Sequence, residues 1–283
     1  MFIDTFPPDW LDRLAERQAR LNTGTCLYLL LDGVFVPGLH QAVQAALTGE
    51  KLVRLLFEEL PSCSEATRSV SPFLLPYQPA SALLARVLSR CSGWPMVSAI
   101  ETSESIDELT GRLAAWCVVE NDGQRFNFRF PDTRRLPGLW AALTPSQRRT
   151  MAGPASSWWY MDRDGSWQAL PLPHDPQPIA DRPQLDNRQF ASMVADSETD
   201  EILALLRRRG RLPDLQPSEQ HALVQDALRL ARMDQLDTGL YTEWCDVFLQ
   251  KGLRMSDSEG RARLDAWRQA ELAALEAFDA GYP

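Results

Sequence analysis

The side chains best suited to chemistry are few and scattered. The chain has three histidines: His40 in a predicted helix, His174 in a proline-rich stretch and His221 near a predicted helix start. None neighbours another in sequence, so the spacing signals neither a metal cluster nor an acid–base pair. The five cysteines, at positions 26, 63, 91, 117 and 245, lie far apart and contain no Cys-x-x-Cys pair. Cys26, Cys91 and Cys117 sit in or beside apolar segments, which reads as reduced, mostly structural thiols. Cys63-Ser-Glu-Ala-Thr-Arg68 has the thiol and arginine of a phosphatase loop, but the two are spaced too closely for one and no glycine lies between them. The chain has no Gly-x-Ser-x-Gly elbow, His-Glu-x-x-His pair, phosphate-cradling glycine loop or dinucleotide fingerprint. The expectation is a protein that is not an enzyme and uses no cofactor or metal.

Asp32 is the one acid in a suggestive place. It ends the first predicted strand, where α/β enzymes often keep a catalytic carboxylate, and it is the basis of a hydrolase alternative. Asp32-Gly33 is also an ordinary turn pair, which is the plainer reading. Arg207-Arg-Arg-Gly-Arg211 could meet a phosphate or an acidic partner, yet it closes a helix, where cations favour the negative end of the dipole.

The elements that must position these residues follow from hydrophobic periodicity. With 283 residues, 45% hydrophobic and 24% charged, the chain can bury a sizeable core without disulfides or metals. The longest clean apolar run, Cys26 to Leu31, is far below the ~20 residues of a bilayer span, and Met1 to Asp9 does not read as a secretory signal. These observations predict a cytoplasmic protein without a membrane partner. A formal charge of −9 argues against a nucleic-acid partner.

Cys26 to Asp32 reads as a buried strand, followed by a helix near Pro37 to Leu47 and a strand from Leu52 to Phe57. A Ser/Pro-rich loop leads to Phe73-Leu-Leu75, and Ser81 caps a helix. Met96 to Ile100 is a strand, and Ser105-Ile-Asp-Glu108 a capping box opening a helix to about Trp116. Cys117 to Glu120 and Arg125 to Phe130 flank the turn Asn121-Asp122-Gly123 as a hairpin. Thr144-Pro145 starts a short helix, and a second hairpin joins Trp158 to Met161 with Ser166 to Leu170. The fold class is therefore α/β (α+β): a mixed β-sheet with packed helices over 1–170, a proline-rich linker over 171–185, and a small all-helical lobe over 186–283. In that lobe the predicted helices are Asp186 to Ala195, Thr199 to Arg209, Ser218 to Asp234, Thr238 to Lys251 and Ser256 to about Phe278.

Two segments have features that invite a binding role. In Trp158-Trp159-Tyr160, strand alternation puts Trp158 and Tyr160 on one face and Trp159 on the other, one face being core and the other a candidate contact surface. In Arg125-Phe-Asn-Phe-Arg-Phe-Pro-Asp-Thr-Arg-Arg135, the phenylalanines form an apolar face, and Pro131-Asp132 turns the chain into two arginines.

This second segment resembles the motif of the type VI secretion effector adaptor/chaperone family, in which a glycine turn precedes a strand ending in Arg, aromatic, aromatic, Asp-Pro-Arg. Asp122-Gly123 supplies the turn, Arg129-Phe130 the strand end, and Asp132 with Arg134 the acid and base, while Pro131 and Thr133 depart from the pattern. Leu29 to Gly33, Ser71 to Leu75, Gly93-Trp94 and Gly153-Pro154 fall in the family's order, as do the helices after Asp186. The resemblance implies a non-catalytic adaptor that binds a type VI effector protein and loads it onto the valine-glycine-repeat (VgrG) spike protein. Arg129, Asp132, Arg134, Arg135, Trp158 and Trp159 are the expected protein-binding residues. An immunity-type protein that binds and neutralises a toxin is the alternative from the same binding class.

Overall fold

The computed structural model describes residues 2–47, 52–58, 60, 63–173, 175, 183–252 and 256–280. The chain packs as two compact units that divide after Asp196. Its first unit contains α1 (Trp10–Ala19), β1 (Cys26–Leu31), α2 (Leu39–Ala46), β2 (Arg54–Leu55), α3 (Glu65–Ser69), β3 (Phe73–Pro76), α4 (Ala82–Leu88) and β4 (Val97–Thr102). It continues with α5 (Ile106–Trp116), β5 (Val118–Asn121), β6 (Gln124–Asn127), α6 (Leu136–Ala142), α7 (Pro145–Ala152), β7 (Ser157–Met161) and β8 (Trp167–Ala169). Helix α8 (Asn187–Arg208) contains the division.

The expected α/β architecture is present, and its sheet has the order β2-β3-β1-β4-β7-β8. Every pairing within it is antiparallel. Strand–helix alternation normally suggests parallel crossovers. Here the helices return the chain so that each strand runs against its neighbour. The predicted β5–β6 hairpin forms as a separate two-stranded ribbon, not as part of the main sheet.

Strand β1 is apolar along its length because both faces of the sheet are covered. Tyr28 and Leu30 enter one core with Leu113 and Trp116 of α5, Trp140 of α6 and Trp158 of β7. Leu27, Leu29 and Leu31 enter the other, against Trp10 and Leu14 of α1, Val43 of α2 and Leu88 of α4. Helix α1 was not expected from the sequence: Asp9 precedes it without a side-chain cap, and its buried stripe is only Trp10 and Leu14. Tertiary contact supports it instead, with Trp167 Nε1 donating to the Trp10 carbonyl at 3.2 Å.

The predicted capping box is present at Ser105/Glu108, and the short helix predicted from Thr144-Pro145 opens on a second one, Thr144/Gln147. Helix α8 is one element where two were expected. No glycine or proline interrupts it, and the Ser197 hydroxyl bonds Glu201 within the helix rather than capping a new one. Its first turns belong to the first unit: Gln189 Nε2 donates to the Ala142 carbonyl at 2.9 Å, and the Phe190 ring packs tilted against Phe126, centroids 4.5 Å apart. Of the predicted linker, residues 174 and 176–182 lie outside the described residues.

The second unit holds the rest of α8 with α9 (Pro217–Met233), α10 (Tyr241–Leu249) and α11 (Asp257–Ala280), close to the predicted helices. Its core gathers Leu206, Val224, Ala227, Trp244, Phe248 and Leu264, and Trp244 Nε1 donates to the Ala227 carbonyl at 2.9 Å. Among the described residues no helix is long and apolar enough to cross a membrane.

Cysteine environments lead to one direct prediction. Burial pushes the Cys91 thiol up to about 12 and raises those of Cys117 and Cys245 as well, whereas Cys26 is exposed and Cys63 half-buried. Since the thiolate is the reactive form, a maleimide should label Cys26 and Cys63 in the native protein. The other three should react only in denaturant, as mass spectrometry of labelled peptides would show.

Candidate protein-binding site

The site forms where β1 ends and β4 begins. The Asp32 N–H donates to the Met96 carbonyl at 3.0 Å, which holds the residue after β1 beside the start of β4. Its carboxylate accepts the Val34 N–H at 3.1 Å, closing the turn expected for Asp-Gly. Gly33 is required by close backbone approach: a Cβ there would lie 2.3 Å from the Ser71 carbonyl oxygen.

The β5–β6 ribbon delivers the second half of the site. Asp122 and Gly123 both have positive φ, 48° and 72°, as the tight hairpin turn requires. Beyond Asn127 the chain keeps one more ladder bond, Phe128 N–H to the Cys117 carbonyl at 3.0 Å, and then bends sharply, with Phe130 N–H bonding the Phe128 carbonyl at 2.8 Å. Pro131 has no N–H to continue a ladder, so the strand ends before Phe130 and not at it. Thr133 N–H then bonds the Pro95 carbonyl at 2.9 Å, which places Arg129 to Arg134 against the start of β4.

Four charges of alternating sign result. Arg129 Nη2 lies 3.1 Å from Asp32 Oδ2 and 3.8 Å from Asp132 Oδ2. Arg134 grips Asp132 as a fork, Nε to Oδ1 at 3.1 Å and Nη2 to Oδ2 at 2.8 Å, and its own N–H bonds the same carboxylate at 3.1 Å. Both acids are buried. Burial pushes the Asp32 carboxyl above its ordinary range, and the Arg129 charge and the Val34 N–H oppose that rise.

Three aromatic rings that sequence reasoning did not connect complete the surface. Phe2, Phe35 and Trp94 lie within 5.5–6.0 Å of one another by ring centroid. The Arg134 guanidinium lies 5.0 Å from the Phe2 ring and 5.7 Å from that of Phe35, and Arg129 lies 5.9 Å from Phe35. All three rings are half-buried. Val34 beside them is 40% exposed.

The other expected residues lie elsewhere. Arg135 turns away, its Nη2 donating to the Met193 carbonyl at 2.7 Å and its Nη1 lying 3.5 Å from Asp196. Trp158 is fully buried. Trp159, on the opposite sheet face, packs beneath Arg17, whose guanidinium is 3.7 Å from the ring centroid and bonds Glu101 at 2.9 Å. Both faces of β7 are thus packed.

A crevice of about 60 Å³ opens beside Arg129, lined among others by Asp32, Val34, Phe57, Phe128 and Pro131. Among the described residues no histidine lines it. His40 sits instead on α2 in edge contact with Phe73, His221 lies in α9, and His174 is outside the described residues. The Asp32 carboxylate is engaged by Arg129 and the Val34 N–H. Among the described residues no group of His, Cys, Asp and Glu side chains is arranged to hold a metal.

Residues 27–150 match a family model described as a domain of unknown function, DUF4123. The match spans the charged cluster from Asp32 to Arg134 and ends before β7. Comparisons with curated proteins and with solved structures give no match.

Proposed function

We propose that the protein, whose residues 27–150 match the DUF4123 model, is a non-catalytic cytoplasmic adaptor that binds a type VI secretion effector and loads it onto the VgrG spike. The ordered motifs described above support this reading. The observation that carries it is the joining of two arginines with Phe2, Phe35 and Trp94 in one partly exposed patch. Arginine and large aromatic side chains are the types that dominate binding hot spots. The buried acids hold both guanidiniums in place before a partner arrives, which lowers the entropic cost of binding.

Co-expression with its cognate type VI effector should yield a complex stable to gel filtration and raise the effector's soluble yield. The spike should join that complex. Failure to bind either protein would overturn the reading. An adaptor leaves the effector's toxicity intact, whereas an immunity protein abolishes it, so rescue of poisoned cells separates the two.

Arg129→Lys is the informative variant. It keeps a positive charge near Asp32 but removes the planar fork, and it should weaken effector or spike binding by about tenfold or more. The melting temperature should change little, because the side chain is 42% exposed. Arg134→Glu is less useful, since it would set a second carboxylate against buried Asp132 and act on folding.

A further inference from the structure

The crevice beside Arg129 combines two features that together specify a ligand. Its walls join the apolar side chains of Val34, Phe57, Val70, Phe128 and Pro131 to the polar ones of Asp32, Asn127 and Arg129, and the Asp32 carboxylate is already engaged by Arg129 and the Val34 N–H. Its volume of about 60 Å³ holds roughly four waters, about the number of heavy atoms in a branched aliphatic side chain. The mouth is open to solvent at Val34, Asn127 and Arg129, all exposed.

At that mouth the Arg129 guanidinium is only partly used. Nη2 faces Asp32 and Asp132, while Nε and Nη1 have no partner among the described residues. A guanidinium fixed on one edge and free on the other is arranged to take a carboxylate, with charge-assisted bonds. Asn127, on the same rim, adds amide donors and no negative charge to compete.

We propose that this crevice is a peptide-recognition site, taking one aliphatic side chain of a partner's extended segment while Arg129 binds the carboxylate of an adjacent Asp or Glu. The inference rests on the reading of the chain as a protein-binding adaptor and names the partner's local chemistry. The aliphatic group packs against the apolar side chains of the crevice, and the carboxylate fixes the direction of the segment. Neither half suffices alone: the crevice is too small to supply an anchor by area, and an exposed arginine pair is worth little in water.

The test uses the full-length protein and short fluorescein-labelled peptides carrying Leu-Glu, Leu-Gln, Ser-Glu or Ser-Gln at the centre, followed by anisotropy. A further peptide ends in leucine with a free C-terminal carboxylate. Leu-Glu should bind about tenfold more tightly than either single replacement, a difference of about 1.4 kcal/mol. Arg129→Gln should erase the preference for Glu over Gln while keeping that for Leu over Ser. If Arg129→Gln fails to fold, Asn127→Asp decides, because this exposed position adds a repelling carboxylate at the mouth: it should weaken the Leu-Glu peptide and leave Leu-Gln unchanged.

Several results would overturn the proposal: equal binding of all peptides, no binding up to about 1 mM, binding only of the free C-terminus, or a Glu preference that survives both variants. Should the effector complex form while the peptides fail in any of these ways, the crevice assignment falls and the adaptor reading stands. Should no complex form, the adaptor reading falls first.

Discussion

Trp158→Ala should destabilise the first unit by about 3–5 kcal/mol, a large share of the ~5–15 kcal/mol that holds a domain together. The ring is fully buried. It packs edge-on against Phe130 at 6.2 Å and lies 6.4 Å from Trp140, on a strand paired with β4 through Ile100. Truncation would leave a void among rings that cannot collapse without moving the sheet. Because Phe130 adjoins Arg129 in the chain, the charged cluster would loosen as well. Loss of partner binding in this variant would therefore follow from loss of packing. Trp159→Ala should cost less, since the ring is partly exposed and its arginine contact is worth about 0.5–1 kcal/mol at such a site. Urea denaturation of the two variants separates them by midpoint, with the slope as a check on the denatured state. A cost below about 1 kcal/mol for Trp158→Ala would contradict the packing described.

Arg112→Ala should be comparably damaging, at about 3–5 kcal/mol, because it leaves Glu104, whose side chain is only 12% exposed, without its partner. Arg112 Nε bonds Glu104 Oε1 at 2.8 Å, its Nη2 reaches the other carboxylate oxygen, and its Nη1 the Met151 carbonyl. The Thr102 hydroxyl completes the acid's shell at 2.9 Å. Gly153 makes room for the arrangement: its φ is +53°, and a Cβ there would come within 2.4 Å of Arg112 Nε. For a unit of this size the expected fall in melting temperature is roughly 6–20 °C. Replacing both partners, Arg112→Met with Glu104→Leu, should recover most of it, because no unpaired charge then remains. If the double variant is no better than the single one, the ion pair is not the source of the loss.

The legibility of this fold follows the range of the interactions involved. Ser105 and Glu108 bond across a single helical turn, so four residues of sequence sufficed to place the start of α5. The Asn121-Asp122-Gly123 turn was equally local. The N-terminal α1 could not be read, because what supports it is Trp167, far along the chain. Nor could the antiparallel direction of every sheet pairing, which depends on how the helices return the strands.

The candidate site divides in the same way. Arg129, Asp132 and Arg134 lie within one turn and were found together, and Asp32 was singled out without its partner. Phe2, Phe35 and Trp94 come from three separate stretches of the chain, and the Phe2 N–H bond to the Gly93 carbonyl, at 2.9 Å, holds the first beside the third. The available signal was positional: Phe35 follows Asp32-Gly33 and Trp94 follows Gly93, so each aromatic ring sits just after a turn at the same end of the sheet. Trp158 and Trp159 showed the opposite weakness. Alternation assigned their faces correctly but could not reveal that a helix covers each.

The bond from Asp4 N–H to the Arg163 carbonyl, at 2.9 Å, ties the beginning of the first unit to its last hairpin. On a ribosome adding about 5–20 residues per second, roughly 8–30 s separate the synthesis of those two residues. Once β4 is made it pairs with β1 on one edge, while its other edge, which takes β7 in the finished sheet, waits without cover until that strand is synthesised. The nascent chain is thus most vulnerable to aggregation before β7 emerges, and slower translation of the intervening codons would lengthen the exposure in proportion.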